Sequence, residues 1–259
     1  MLSTTQKNLI AFYSIVNKEI TRFMRIWSQT LLPSAITSVL YFMIFGSLIG
    51  SRIGLIDGIP YMQFIVPGLI MMAVINNAYT NVVFSFFSAK FQRNIEELLV
   101  SPTPTIYILL GYVAGGVLRA VLAGIIVTLV ALCFTSIPLA NWWLMFILLI
   151  LTATLFATAG LINAVYANNF DSVNIVPTFI LGPLTYLGGI FYSIHMLSPF
   201  WQHISMVNPI LYIINAFRYS LLGISDIGIG IAISLIIGLN IILFFVALYL
   251  LENGIGLRK

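Results

Sequence analysis

The chain has 259 residues, of which 61% are hydrophobic and only 7% charged, with a mean hydropathy of +1.09. Soluble domains run at roughly 45–50% apolar and about 25% charged residues, so a water-facing surface is excluded and the chain reads as an integral membrane protein. The net charge of +4 is modest, and its placement says more than its size.

The first 29 residues form a separate unit. The stretch MLSTTQKNLIAFYSIVNKEITRFMRIW has no short apolar core followed by a small-residue cleavage site, so no cleavable signal is expected. Leu9, Tyr13, Val16, Ile20, Phe23 and Trp27 recur at steps of three and four, while Lys18, Arg22 and Arg25 mark another face. A basic amphipathic helix of this kind lies in a membrane surface, cations towards anionic headgroups. A simple anchor and a docking role for a cytoplasmic partner both remain open.

Residues 30–259 read as spans and breaks. A hydrocarbon core about 30 Å thick needs roughly 20 apolar helical residues. Candidate spans fall at 30–51, 61–88, 105–134, 142–166, 175–193 and 227–251. Residues 194–226 are apolar but broken by Pro199, Asn208-Pro209 and Gly223, and each half is too short or too polar to span comfortably. The expected fold is therefore all-α: an interfacial helix, six transmembrane helices and a re-entrant helical hairpin before the sixth. Cys133 is the single cysteine, so no intrachain disulfide forms.

With the N-terminus in the cytoplasm, the inside carries Lys7, Lys18, Arg22, Arg25, Lys90, Arg93, Arg258 and Lys259, against Arg52 and Arg218 outside. That asymmetry follows the positive-inside rule. An even number of spans places both termini in the cytoplasm and makes residues 89–101 a cytoplasmic loop.

That loop, AKFQRNIEELLVSPTPT, holds Lys90, Arg93, Glu96 and Glu97 within eight residues. Good helix formers, with Leu98 and Leu99 as anchors and Pro102 and Pro104 as stops, predict a short rod. Arg93 and Glu97 stand at i and i+4 and could pair on it.

The second span carries a polar stripe: Asn77, Asn81, Ser85 and Ser88, with Asn76 and Thr80 alongside. Such groups avoid lipid, leaving a translocation wall or hydrogen bonds between helices. Gly46, Gly50 and Gly54 have small-xxx-small spacing, which suits a dimer seam or internal packing. Arg119, near the middle of the third span, needs acceptors; structural locking and substrate contact are both open. No G-x-x-x-x-G-K-[ST] phosphate cradle is present, so ATP driving this protein would bind another polypeptide. No G-x-S-G-like site for intramembrane proteolysis occurs, and His195 and His203 lack companions for a metal site. The carboxylates Glu19, Asp57, Glu96, Glu97, Asp171, Asp226 and Glu252 are all expected in loops or at ends, which argues against an ion-coupled secondary transporter. A non-transporting membrane scaffold is a further alternative.

FQRNIEELLVSPTP after two spans, together with VPTFILGPLTYLGGIFYS and NPILYIINAFRYSLLG, resembles the ABC type-2 exporter permeases over nearly the whole chain. The resemblance implies a non-catalytic permease subunit in a bacterial plasma (inner) membrane. It would be paired in a homodimer or a heterodimer, a second copy being the expected partner, and with two ATPase subunits that hold the ATP and Mg. Membrane lipids are the other expected partners, and nucleic acid is not one. It also implies that residues 89–101 form the coupling helix, with Lys90, Arg93, Glu96, Glu97, Leu98 and Pro102 facing the ATPase. The second and fifth spans would surround the path, using Asn76, Asn77, Thr80, Asn81, Thr178, Phe179, Thr185 and Tyr186. Tyr192, Trp201 and Arg218 would close the outer gate. The absence of any evident dock for an external binding protein favours export; glycan, lipid-linked and amphipathic substrates suit the stripe equally.

Overall fold

The computed structural model describes residues 3–256; the Arg258 and Lys259 charges lie outside the described residues. Helix α1 (Thr4–Arg25) opens with a capping box, in which Ser3 and Gln6 satisfy each other's backbone N–H. After a kink at Ile26 the chain continues as α2 (Trp27–Thr30), α3 (Leu32–Tyr41), a π-helical stretch (Phe42–Ile49) and α4 (Gly50–Ile53). A tight hairpin of β1 (Leu55–Ile56) and β2 (Ile59–Pro60) follows, its Asp57-Gly58 turn having φ of 49° and 79°. Asp-Gly is the pairing such a turn favours. Next come α5 (Tyr61–Phe91), α6 (Asn94–Val100), α7 (Thr105–Leu132) and α8 (Trp142–Tyr166). Then α9 (Phe170–Val176), a π-helical turn (Pro177–Leu181) and α10 (Gly182–Tyr186) run end to end. A 3-10 turn (Ile194–Met196) leads to α11 (Pro199–Val207), α12 (Pro209–Leu222) and α13 (Ile229–Glu252).

Helix α5 is the axis of the bundle, buried on most sides by α7, α8 and α12. Small residues permit the close contacts: a Cβ on Gly160 of α8 would lie 2.6 Å from the Tyr79 carbonyl oxygen of α5. The chain is all-helical but for the hairpin, and five helices are long and apolar enough to cross a membrane among the described residues. They are Trp27–Gly46, Tyr61–Phe91, Thr105–Leu132, Trp142–Tyr166 and Ile229–Glu252.

The fifth expected span, 175–193, differs. Its helix begins earlier, at Phe170, and ends at Tyr186, beyond which Gly189 turns the chain at φ 75°. Pro177 and Pro183 open the ladder into a π turn, and residues 187–193 leave the helix. The run is about 25 Å long at 1.5 Å per residue, short for a full span. The break expected at Asn208-Pro209 is present: Asn208 caps α12 by accepting from the Ile210 N–H at 3.0 Å.

Helix α1 is amphipathic, and its packed face shares Phe23 with the expected apolar stripe. Ile15, Glu19 and Phe23 are buried, chiefly against α7, while Leu9, Tyr13 and Trp27 are exposed. Glu19 is therefore not at an end, as its place in sequence suggests, but fully buried inside the bundle. A nearby serine and arginine make that burial tolerable.

Candidate functional site

The charged loop is more articulated than a single rod over 89–101. Helix α5 runs on to Phe91, and Arg93 adopts a left-handed φ of 62° as the cap of α6. This takes Arg93 off the helix that carries Glu97, and the expected i, i+4 pair is absent; the one salt bridge among the described residues is Arg22–Glu19. Ile95, 1% exposed, anchors α6, with Leu98 half-buried beside it; the Leu99 side chain lies outside the description. Glu96 and Glu97 point outward in the first turn, where the helix dipole favours carboxylates. Pro102 follows, and Pro104 begins the next helix. Lys90 faces inward: its ammonium donates to the carbonyls of Val165 (2.6 Å) and Ala167 (2.8 Å), closing the C-terminus of α8. A cleft of about 330 Å³ separates α1 from α6, lined by Ser14, Lys18, Asn94, Glu97 and Leu98.

The polar stripe on α5 divides. Asn81 and Ser85 are taken up by α1: Arg22 donates to Asn81 Oδ1 at 2.8 Å and to its carbonyl at 3.1 Å, and Ser85 donates to Glu19. Asn77 donates to Ser34 Oγ and to the Ala73 carbonyl at 2.9 Å each, and accepts from Arg119 Nε at 3.1 Å. The second Arg119 contact, to the Thr30 carbonyl at 3.3 Å, closes the end of α2. Asn76 and Thr80 are half-buried, bonding only within their own helix, to Met72 and Asn76. Asn76 and Asn77, with Ser34, Thr37, Ser38 and Tyr41, line an open cleft of about 200 Å³ between α3 and α5.

On the fifth helical run, Thr178, Phe179 and Tyr186 are exposed, Phe179 by 73%; Thr185 is buried and donates to the Leu181 carbonyl. The Tyr186 hydroxyl meets that of Tyr41 at 2.9 Å, and Phe45 stacks on Phe191 at 4.4 Å beside them. Through Tyr41 this aromatic group borders the cleft. Sequence reasoning missed Tyr41, although it lies a helical step beyond Thr37 and before Phe45.

The three outer-gate residues separate. Tyr192 is half-buried, donates to the Tyr186 carbonyl at 3.3 Å and has its phenol pKa raised by burial. Trp201 is exposed, edge-on to Phe200. Arg218 is fully buried, its guanidinium 3.9 Å from the Phe64 ring centroid and donating to the Gly189 carbonyl and Asn215 Oδ1. Asn215 in turn accepts from the Asp226 N–H, and Asp226 from the Ile194 N–H, both at 3.0 Å. Arg218 thus packs between α5 and the loops at Gly189 and Asp226, shut away from solvent. His203 Nδ1 lies 2.6 Å from the Pro199 carbonyl of its own helix.

Gly46 and Gly50 are occupied within the chain. A Cβ at Gly46 would lie 2.8 Å from Met62, and one at Gly50 3.2 Å from the Tyr61 ring. Gly54, at φ 76°, ends α4. Gly46 and Gly50 thus allow the first span to approach α5 within the chain, while nothing lies within 4 Å of a Cβ at Gly54.

The described residues form a helical bundle with five helices long and apolar enough to cross a membrane, and a short charged turn follows its most deeply packed helix. The chain belongs to the ABC-2 type transporter family, whose sequence profile matches residues 10–222. It is 55% identical to the inner membrane transport permease YadH of Escherichia coli K12 over 250 residues, covering 96% of this chain and 98% of that protein. Nodulation protein J of Sinorhizobium fredii is 28% identical over 209 residues, 79% of each chain. Nodulation protein J of Rhizobium meliloti is 22% identical over 232 residues, 88% of each.

Proposed function

We propose that this protein is the permease of an ATP-driven exporter in a bacterial inner membrane, working as two copies bound to two ATPase subunits, with both termini cytoplasmic. The observation that carries this reading is α6: a short helix held by Ile95, with Glu96 and Glu97 turned outward beyond the end of the most deeply packed span. A rod fixed at its root and charged at its tip suits the transfer of an ATPase's movement into α5. The chain has no phosphate cradle, so ATP and Mg belong to the partner.

Six crossings, with Phe170–Tyr186 as the fifth and α11–α12 re-entering from outside, complete the reading. The path runs along the open face of α3, α5 and the fifth run, past Asn76, Thr80, Thr178, Phe179 and Tyr186. Hydroxyls and amides beside aromatic rings suit a glycan, a lipid-linked polymer or another amphipathic molecule. The buried Glu19 gives little support to ion coupling, because Arg22 neutralises it and Ser85 donates to it.

Co-purification of the tagged chain from its native membrane in mild detergent tests the proposal. A stoichiometric ATP-binding subunit, lost from the Glu96→Lys/Glu97→Lys variant, is the expected result. A chain that emerges alone at every detergent strength would sink it.

A further inference from the structure

We propose that Glu19 and Arg22 are positioning residues that latch α1 to α5, so that a displacement of α6 moves α1 and α5 as one body. The inference rests on the ATPase-coupling reading of α6, but its geometry stands apart from it.

Glycines bring α1 in first. A Cβ on Gly111 would lie 2.7 Å from the Ile15 side chain, and one on Gly115 2.5 Å from the Glu19 Cβ, so any larger residue on α7 would push α1 away. At that contact Glu19 is fully buried and Arg22 partly so, 2.9 Å apart. Burying an ion pair costs desolvation that its attraction seldom recovers with a surplus, so bulk stability is a poor reason for keeping one. Its directional hydrogen bonds do fix geometry. Here they cross to α5: Ser85 donates to Glu19, and Arg22 donates twice to Asn81.

Ser85 and Asn81 stand roughly 9 and 15 Å from the cytoplasmic end of α5 at 1.5 Å per residue. Only Gln92 and Arg93 separate that end from α6. A push on α6 therefore reaches both residues along one unbroken helix. The link from α1 to the first span leaves the helical region at Ile26 (φ −115°, ψ 35°), so α1 is not a continuation of that span. Beside the pair, Arg22 Nε, Asn81 Nδ2 and the Tyr112 hydroxyl are buried without partners.

Hydrogen exchange of the α1 amides tests this, first on the permease alone in nanodiscs and then on its complex with the ATPase, with and without ATP and vanadate. Glu19→Ala removes the centre of the latch. Asn81→Leu with Ser85→Ala leaves the pair on α1 but unhooks it from α5, and serves if Glu19→Ala does not fold. In the permease alone, each variant is expected to speed α1 exchange by about tenfold or more, the order expected for a disrupted, partly solvated pair. In the complex, nucleotide should change α1 and α6 protection together in the wild type, and α6 alone in the variants. Wild-type protection of α1 in both variants, or an α1 response to nucleotide that survives unhooking, overturns the proposal. If the wild-type chain binds no ATPase, the functional reading falls, and exchange in the permease alone still decides whether the latch exists.

Discussion

Arg119 Nε donates to Asn77 Oδ1 at 3.1 Å across the α7–α5 interface, while the same guanidinium holds the Thr30 carbonyl at the break before the first long helix. One cation thus joins three elements around the base of the cleft that Asn77 helps to line. Arg119→Met is expected to leave both acceptors unpaired at about 1–3 kcal/mol, lowering the melting temperature in detergent with or without substrate. Impaired transport with unchanged melting would make Arg119 a substrate contact instead.

Lys90 and the Glu96/Glu97 pair lie in one loop but should behave oppositely. Lys90→Ala removes the donor that closes α8 and should cost about 1–2 kcal/mol, read as a lower melting temperature of the isolated permease. Glu96→Lys with Glu97→Lys should lower melting only slightly, through the lost dipole complement at the start of α6, and abolish ATPase capture. A Lys90→Ala variant that melts normally yet loses the ATPase would place Lys90 at the partner interface.

Tyr41 and Tyr186 share a hydroxyl contact at 2.9 Å. A double-mutant cycle with Tyr41→Phe and Tyr186→Phe should give a coupling of about 0.5–1.5 kcal/mol in thermal stability. Additive effects would show that the two hydroxyls act independently.

Gly46 packs on Met62 of its own subunit. Gly46→Leu should therefore lower permease stability by about 1–3 kcal/mol through overpacking, without shifting the mass of the assembled complex. Loss of the dimer at unchanged subunit stability would restore the seam between subunits.

The cleft and the latch should separate under substitution of the α5 stripe. Asn76→Leu or Thr80→Val removes polar groups that bond only within α5. Transport is expected to fall while melting holds. Normal transport by both would take these residues out of the path.

Composition and periodicity were enough to establish a membrane bundle, most of its long helices and the break at Asn208-Pro209. Those features follow from local chemistry: apolar length, helical periodicity and the missing N–H of proline. The charged loop was legible too, because four charges in eight residues stand out where 7% of the chain is charged. What tertiary structure alone decided is which neighbour each polar group meets. Asn81 and Ser85 stood on a stripe that suited a path wall or hydrogen bonds between helices, and they bond to α1. Glu19 looked like an exposed charge and lies inside the bundle. Lys90 turned inward to α8, and Arg218 left the outer surface for the Phe64 ring. Periodicity shows that a helix has a polar face, but the approach of another helix, permitted by glycines such as Gly111 and Gly115, determines what that face touches.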